Sequence, residues 1–122
     1  MKHSKGFLEL VHEARHRVHT TDVATVWNRV DSGEAFHLID IREDHEWGKG
    51  HIPGSIHLGR GILERDIERT IPDPNTEIVL YCGGGYRSVL SADALQRMGY
   101  KNVLSMDGGY TGWVDAGHPV KK

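Results

Sequence analysis

Between Phe7 and Val18 the apolar residues Phe7, Leu10, Val11, Ala14 and Val18 recur at helical spacing, which predicts an amphipathic helix lying against the body of the protein. Thr20 or Thr21 with Asp22 reads as a helix start. In the segment that follows, Val23, Val26, Trp27 and Val30 fall on one side before Ser32 and Gly33 end it. Beyond that point short apolar runs alternate with helix-length segments. FHLIDI (Phe36 to Ile41), SIHL (Ser55 to Leu58), EIVLYC (Glu77 to Cys82) and NVLSM (Asn102 to Met106) read as strands, punctuated by Gly, Pro, Asn and Asp. Helices are expected near Glu43 to Trp47, Leu63 to Arg69, Arg87 to Met98 and Gly108 to Ala116. Three of the strand runs are mostly apolar without strict alternation, as strands covered on both faces are. The alternation predicts an α/β fold in three layers, a small and mostly parallel sheet with helices on both faces. With no internal repeat or linker, the expected organisation is an N-terminal helical extension over residues 1–19 and one domain over 20–122.

Composition narrows the function classes. A chain of 122 residues is long enough to bury about two-thirds of its unfolded surface. A net charge of -2 gives no broad attraction to nucleic acid or to an anionic membrane, so neither is expected as a partner. No stretch approaches the roughly 20 apolar residues of a membrane span. The basic start MKHSKGFLELVHEARHRV lacks the apolar run and cleavage site of a signal peptide, and Glu9 and Glu13 count against an organelle transit peptide. A cytoplasmic location is the expectation. The one cysteine cannot form an internal disulfide, which fits a reducing compartment and leaves a free thiol to be explained.

That thiol, Cys82, falls where an apolar strand ends, and Gly83, Gly84, Gly85, Tyr86, Arg87 and Ser88 follow it into a predicted helix. In sheets of this kind ligands gather outside the carboxyl ends of the strands. Three glycines let the chain curl so that successive N–H groups form an anion-binding nest, and the helix start adds its positive end. Both effects favour a thiolate. Arg87 sharpens the pattern, because a cation in the first turn opposes the helix dipole unless an anion lies nearby, and Cys82 with its substrate is the expected anion. Ser88 is placed to cap a free amide or donate to the same anion, and Tyr86 to form the rim.

With these residues in view, the chain resembles the rhodanese family of sulfurtransferases from about Thr20 to Val120. The resemblance is carried by LIDIRE (Leu38 to Glu43), GHIPGSIHL (Gly50 to Leu58), IVLYCGGGYRS (Ile78 to Ser88) and GYKNVLSMDGGYTGW (Gly99 to Trp113), in that order. It implies a rhodanese-like fold and an enzyme that moves a sulfane sulfur from thiosulfate or a persulfide to a thiol, a cyanide ion or a protein acceptor, through a persulfide on Cys82. It also implies that the amides of residues 83 to 88 cradle that sulfur, that Arg42 lies beside the site and helps hold an anionic donor, and that Asp40 orders Arg42 or its loop. His51 and Pro53 are implied to be structural. No metal or organic cofactor is expected. Some thiosulfate-using members carry cations inside the loop, whereas Gly83 and Gly84 supply none, which counts against thiosulfate as the physiological donor.

Two other readings compete. Cysteine phosphatases and arsenate reductases with a related cradle place five residues between cysteine and arginine; here there are four, Gly83 to Tyr86, a smaller ring that suits a sulfur atom better than a tetrahedral phosphate. A module without catalysis, serving protein interaction or sensing oxidants through a low-pKa thiol, is the other. HEARH (His12 to His16) satisfies a zinc-protease pattern, but its histidines fall opposite the apolar stripe and so are expected in solvent.

Overall fold

Two aliphatic runs form the centre of a parallel sheet in the computed structural model, which describes residues 3–122. The chain runs α1 (Lys5–Arg15), β1 (His19–Asp22), α2 (Val23–Asp31), β2 (His37–Asp40), α3 (Asp44–Gly48), β3 (Ile56–His57), α4 (Arg60–Thr70), β4 (Ile78–Tyr81), α5 (Arg87–Arg97), β5 (Val103–Asp107) and α6 (Gly109–Asp115). The strands lie in the order β1-β5-β4-β2-β3, and all of these pairings are parallel. The two-residue alternation of a strand then divides the core. Ile78 and Leu80 of β4 join Leu63, Ile67, Ala92 and Leu95 of α4 and α5, whereas Val79 and Tyr81 join Val26 of α2 and Trp113 of α6. Every residue of β4 is buried, as its unbroken apolar run foretells.

α1 lies outside α5 on the same side of the sheet, with Val11 and Ala14 buried against Val89 and Leu90. Arg17, just past α1, grips Asp93 of α5 through Nε and Nη2 at 3.0 and 2.9 Å. Leu10 belongs to the stripe read from the sequence but is 54% exposed. It is turned about 100° from Val11 around the helix, and the strip that meets α5 is too narrow to include it. Residues 1 and 2 of the N-terminal segment lie outside the described residues.

One strand differs from the sequence reading. HTTD forms β1, with His19 opposite Leu104 and Asp22 opposite Asp107. It has no aliphatic residue, so hydrophobic patterning does not reveal it, and Thr20 and Thr21 belong to the strand rather than to a helix start. Asp22 caps α2 as expected, its carboxylate accepting the Thr25 N–H at 2.8 Å.

At the carboxyl end of β2, Arg42 turns back on Asp40. Its Nε donates to both carboxylate oxygens at 3.0 Å and its Nη2 to Oδ2 at 2.7 Å. Nη2 also donates to the Gly50 carbonyl at 2.7 Å, and the guanidinium carbon lies 4.1 Å from the centre of the Tyr110 ring. Both residues are buried, Arg42 at 4% exposure and Asp40 at 0%. Burial opposes the charge of Arg42, and the Asp40 carboxylate outweighs it, raising the pKa of the guanidinium. Asp40→Ala would strand that cation and is expected to cost about 3–5 kcal/mol, read as a shift of the urea-unfolding midpoint at neutral pH; a loss below about 1 kcal/mol would mean that the pair is not the brace described.

Candidate active site

Cys82 follows β4 at the point where the sheet divides, with β2 leading outward to β3 on one side and β5 to β1 on the other. Ligands in open α/β sheets bind at such a crevice. The loop from Cys82 runs straight into α5, and Gly85 takes a left-handed backbone with φ of 96°. A Cβ there would come within 3.2 Å of the Gly108 nitrogen. The start of α6 grips the other side of the loop: Tyr110 N–H donates to the Cys82 carbonyl at 2.8 Å and Thr111 N–H to the Gly83 carbonyl at 2.9 Å. That approach requires Gly109, whose φ is 58° and whose missing Cβ would stand 2.5 Å from the Gly83 oxygen.

With those carbonyls held by α6, loop amides are left for the sulfur. Gly85 N–H donates to Cys82 Sγ at 3.2 Å and Ser88 N–H at 3.4 Å. The thiol faces the Ser88 hydroxyl at 3.6 Å, and that hydroxyl pairs with Ser105 of β5 at 2.7 Å. Among the described residues, the N–H groups of Gly83, Gly84, Tyr86 and Arg87 meet no protein acceptor. The result is a concave ring of donors around one sulfur atom at the start of an eleven-residue helix. Ser88 contributes its amide to the ring; the capping position of α5 belongs to Tyr86.

Arg87 finds its anion in a carboxylate. Its Nη1 and Nη2 reach Glu46 Oε1 and Oε2 at 2.8 and 3.1 Å, a bidentate pair. Glu46 also accepts the Glu43 N–H at 3.0 Å as part of a capping box that starts α3. The Arg87 bonds, and behind them burial working the other way, bring the Glu46 carboxyl from an ordinary 4.5 down to about 2. Arg87 is held more firmly charged by Glu46 first, with a lesser part from Cys82. Gly83 leaves room for this cation, since a Cβ there would come 2.9 Å from Arg87 Nη2.

Above the loop opens a pocket of about 580 Å³. It is lined by Cys82, Gly84 and Tyr86 of the loop, by Glu46, Arg60 and Arg87, and by His3, Ser4 and Phe7. Sequence reasoning missed His3, Ser4, Phe7, Glu46 and Arg60. The misfit of Arg87 in a first helical turn called for an anion, which the sequence assigned to Cys82 with its substrate; Glu46 gave no signal of its own. Arg42 and Asp40 do not line this pocket; their charges are engaged with each other beside the Tyr110 ring of α6. His12 and His16 of HEARH are exposed with ring centres 5.2 Å apart, and among the described residues no group of three metal-ligating side chains exists. No helix among those residues is long and apolar enough to cross a membrane.

Known proteins resemble this chain in sequence and in fold. The rhodanese-like domain family matches residues 22–116. YrkF of Bacillus subtilis, named as a sulfur carrier protein, is 34% identical over 70% of this chain, which spans 45% of that protein. The thiosulfate sulfurtransferase GlpE of Pseudoalteromonas translucida is 36% identical over 62% of this chain and 70% of its own length. A solved structure from Rhodopseudomonas palustris, RPA3614, described as of unknown function and a possible tyrosine phosphatase, superposes with a TM-score of 0.85 at 34% identity, covering 99% of this chain and 98% of that one.

Two tests probe the site's frame. Gly109→Ala is expected to lose about 1–2 kcal/mol from the left-handed backbone alone, and the overlap at the Gly83 carbonyl should quicken amide exchange at Tyr110 and Thr111; unchanged exchange would contradict the proposed grip. The depressed carboxyl of Glu46 makes its pair with Arg87 fully stabilising above pH 4.5 and progressively lost as pH falls toward 2. The stability gap between wild type and Glu46→Gln, measured by urea unfolding across that range, should therefore close toward the acid end; a constant gap would deny the pair this role.

Proposed function

The chain belongs to the rhodanese-like domain family, and on that premise we propose that it is a sulfurtransferase whose Cys82 carries a sulfane sulfur as a persulfide. The observation that carries the reading is the pair of amides, Gly85 and Ser88, directed at Sγ at 3.2 and 3.4 Å, with further unpartnered loop amides beside them. The Cys82 thiolate attacks the outer sulfur of the donor, the S–S bond forms, and the rest of the donor leaves with the electron pair of the bond that breaks. A thiol or cyanide then attacks the bound outer sulfur, and the pair of the cleaved bond returns to Sγ. The two half-reactions balance in electrons without a cofactor and imply ping-pong kinetics.

In this scheme the amides of residues 83 to 88 hold the outer sulfur and its charge, and Arg87 adds positive potential tempered by Glu46. Arg42 and Asp40 act through the frame. The absence of cations at Gly83 and Gly84 favours a persulfide or another organic sulfane donor over thiosulfate. A reducing compartment such as the cytoplasm keeps the single thiol available.

The phosphatase reading, kept in view by the description of the Rhodopseudomonas palustris protein, is less well supported. Four residues separate Cys82 from Arg87, one fewer than in the cysteine phosphatases, and the smaller ring they form suits a sulfur atom better than a tetrahedral phosphate. Intact-mass measurement after incubation with thiosulfate or an organic persulfide should reveal one added sulfur that a reductant removes, absent from a folded Cys82→Ser variant. Turnover of an aryl phosphate, or an unchanged mass with all donors alongside a reversible response to peroxide, would sink the assignment.

A further inference from the structure

The pocket above Cys82 is larger than small inorganic substrates need. Thiosulfate and cyanide are a few atoms each, whereas about 580 Å³ falls within the range of roughly 300–1,000 Å³ typical of organic-ligand pockets. One wall is aromatic. The ring of His3 lies 4.7 Å from that of Tyr86 and 5.2 Å from that of Phe7, and Phe7 lies 6.3 Å from Tyr86. Such centroid distances are those of interacting rings, and the cluster presents a face on which a further flat group can lie. α1 provides Phe7, and the residues just before it His3 and Ser4, so the helix that packs on α5 also completes the pocket.

The lining also includes Glu46 and two arginines, and the arginines differ. Arg87 is engaged by Glu46 in two hydrogen bonds. Arg60, the first residue of α4, has no carboxylate partner among the described residues, and it lines the same pocket. Arg60 is thus a cation of the pocket left without a carboxylate partner among the described residues.

We propose that this pocket selects an organic thiol acceptor with a ring-sized apolar body and a carboxylate, the body lying on His3, Phe7 and Tyr86 and the carboxylate on Arg60. The inference rests on the sulfur-transfer reading above and specifies its acceptor. In the step concerned, the acceptor thiolate attacks the outer sulfur on Cys82. A new S–S bond forms on the acceptor, the bond to Sγ breaks with its electron pair returning to Cys82, and no outside oxidant or reductant takes part.

The test separates the acceptor's two parts. With protein loaded from an organic persulfide, kcat/KM is measured for mercaptobenzoate, thiophenol, mercaptoacetate and cyanide. Phe7→Ala is expected to lower the ratio of mercaptobenzoate to cyanide by about three- to tenfold, and to lower it for thiophenol but not for mercaptoacetate. Arg60→Ala, a change at an exposed residue that leaves the core untouched, should lower the ratio by about threefold for the two carboxylates and not for thiophenol. Ratios that stay at wild-type values in both variants would overturn the proposal. Calorimetry with phenylacetate, which has the ring and the carboxylate but no sulfur, reads the pocket without any transfer: saturable binding weakened by both substitutions supports it, and no binding overturns it. Failure to load sulfur together with intact phenylacetate binding would fault the transfer reading alone.

Discussion

The site depends on one sulfur atom acting as the acceptor for two backbone amides. Gly85 and Ser88 point their N–H groups at Cys82 Sγ, and both residues are buried. Taking the sulfur away leaves two donors without partners inside the fold, at about 1–3 kcal/mol each. The cysteine is therefore reagent and structural keystone together. The loop holds the shape of an anion site because the atom at its centre satisfies the amides while no substrate is present.

Support for that curl comes from further away than the loop. α6 meets the Cys82 and Gly83 carbonyls with its first amides, and the ring of Tyr110, whose N–H makes one of those bonds, lies against the Arg42 guanidinium. Arg42 in turn is fixed by Asp40 and the Gly50 carbonyl. A chain of contacts thus runs from the end of β2 through a buried ion pair and an aromatic face to the loop. This gives the DIR segment a reason to exist that does not require it to touch a ligand. On the other side, α3 brings Glu46 to Arg87, so the cation at the start of α5 is positioned before anything binds.

What the sequence disclosed followed from how local each signal is. The order of strand, cysteine, glycines, arginine and helix sits within a single short segment, and its parts constrain each other through the backbone, so the placement of Cys82 and its ring of donors was legible. So was Asp22, whose cap is satisfied three residues on. Contacts that join distant parts of the chain left weaker marks. Glu46 lies 41 residues from Arg87, and nothing in its own neighbourhood announces the pairing. His3 and Phe7 reach the pocket only because α1 packs on α5, a docking that periodicity implies in kind but not in position. β1 escaped because its residues are polar: a strand whose stability comes from backbone pairing to β5 carries no hydrophobic signature. Arg42 was expected beside the site by resemblance, and its pairing with Asp40, two residues away, is a local contact that the DIR segment itself contains.

The borders of the sheet have a consequence of their own. β1 on one margin is HTTD, mostly exposed, and β3 on the other is two residues long. Unpaired strand margins are templates on which other chains can add, and polar or abbreviated ones make poor templates. Molecules of this protein crowded together thus have little purchase for growing shared sheets, and the oily central strands stay shielded from aggregation at both flanks.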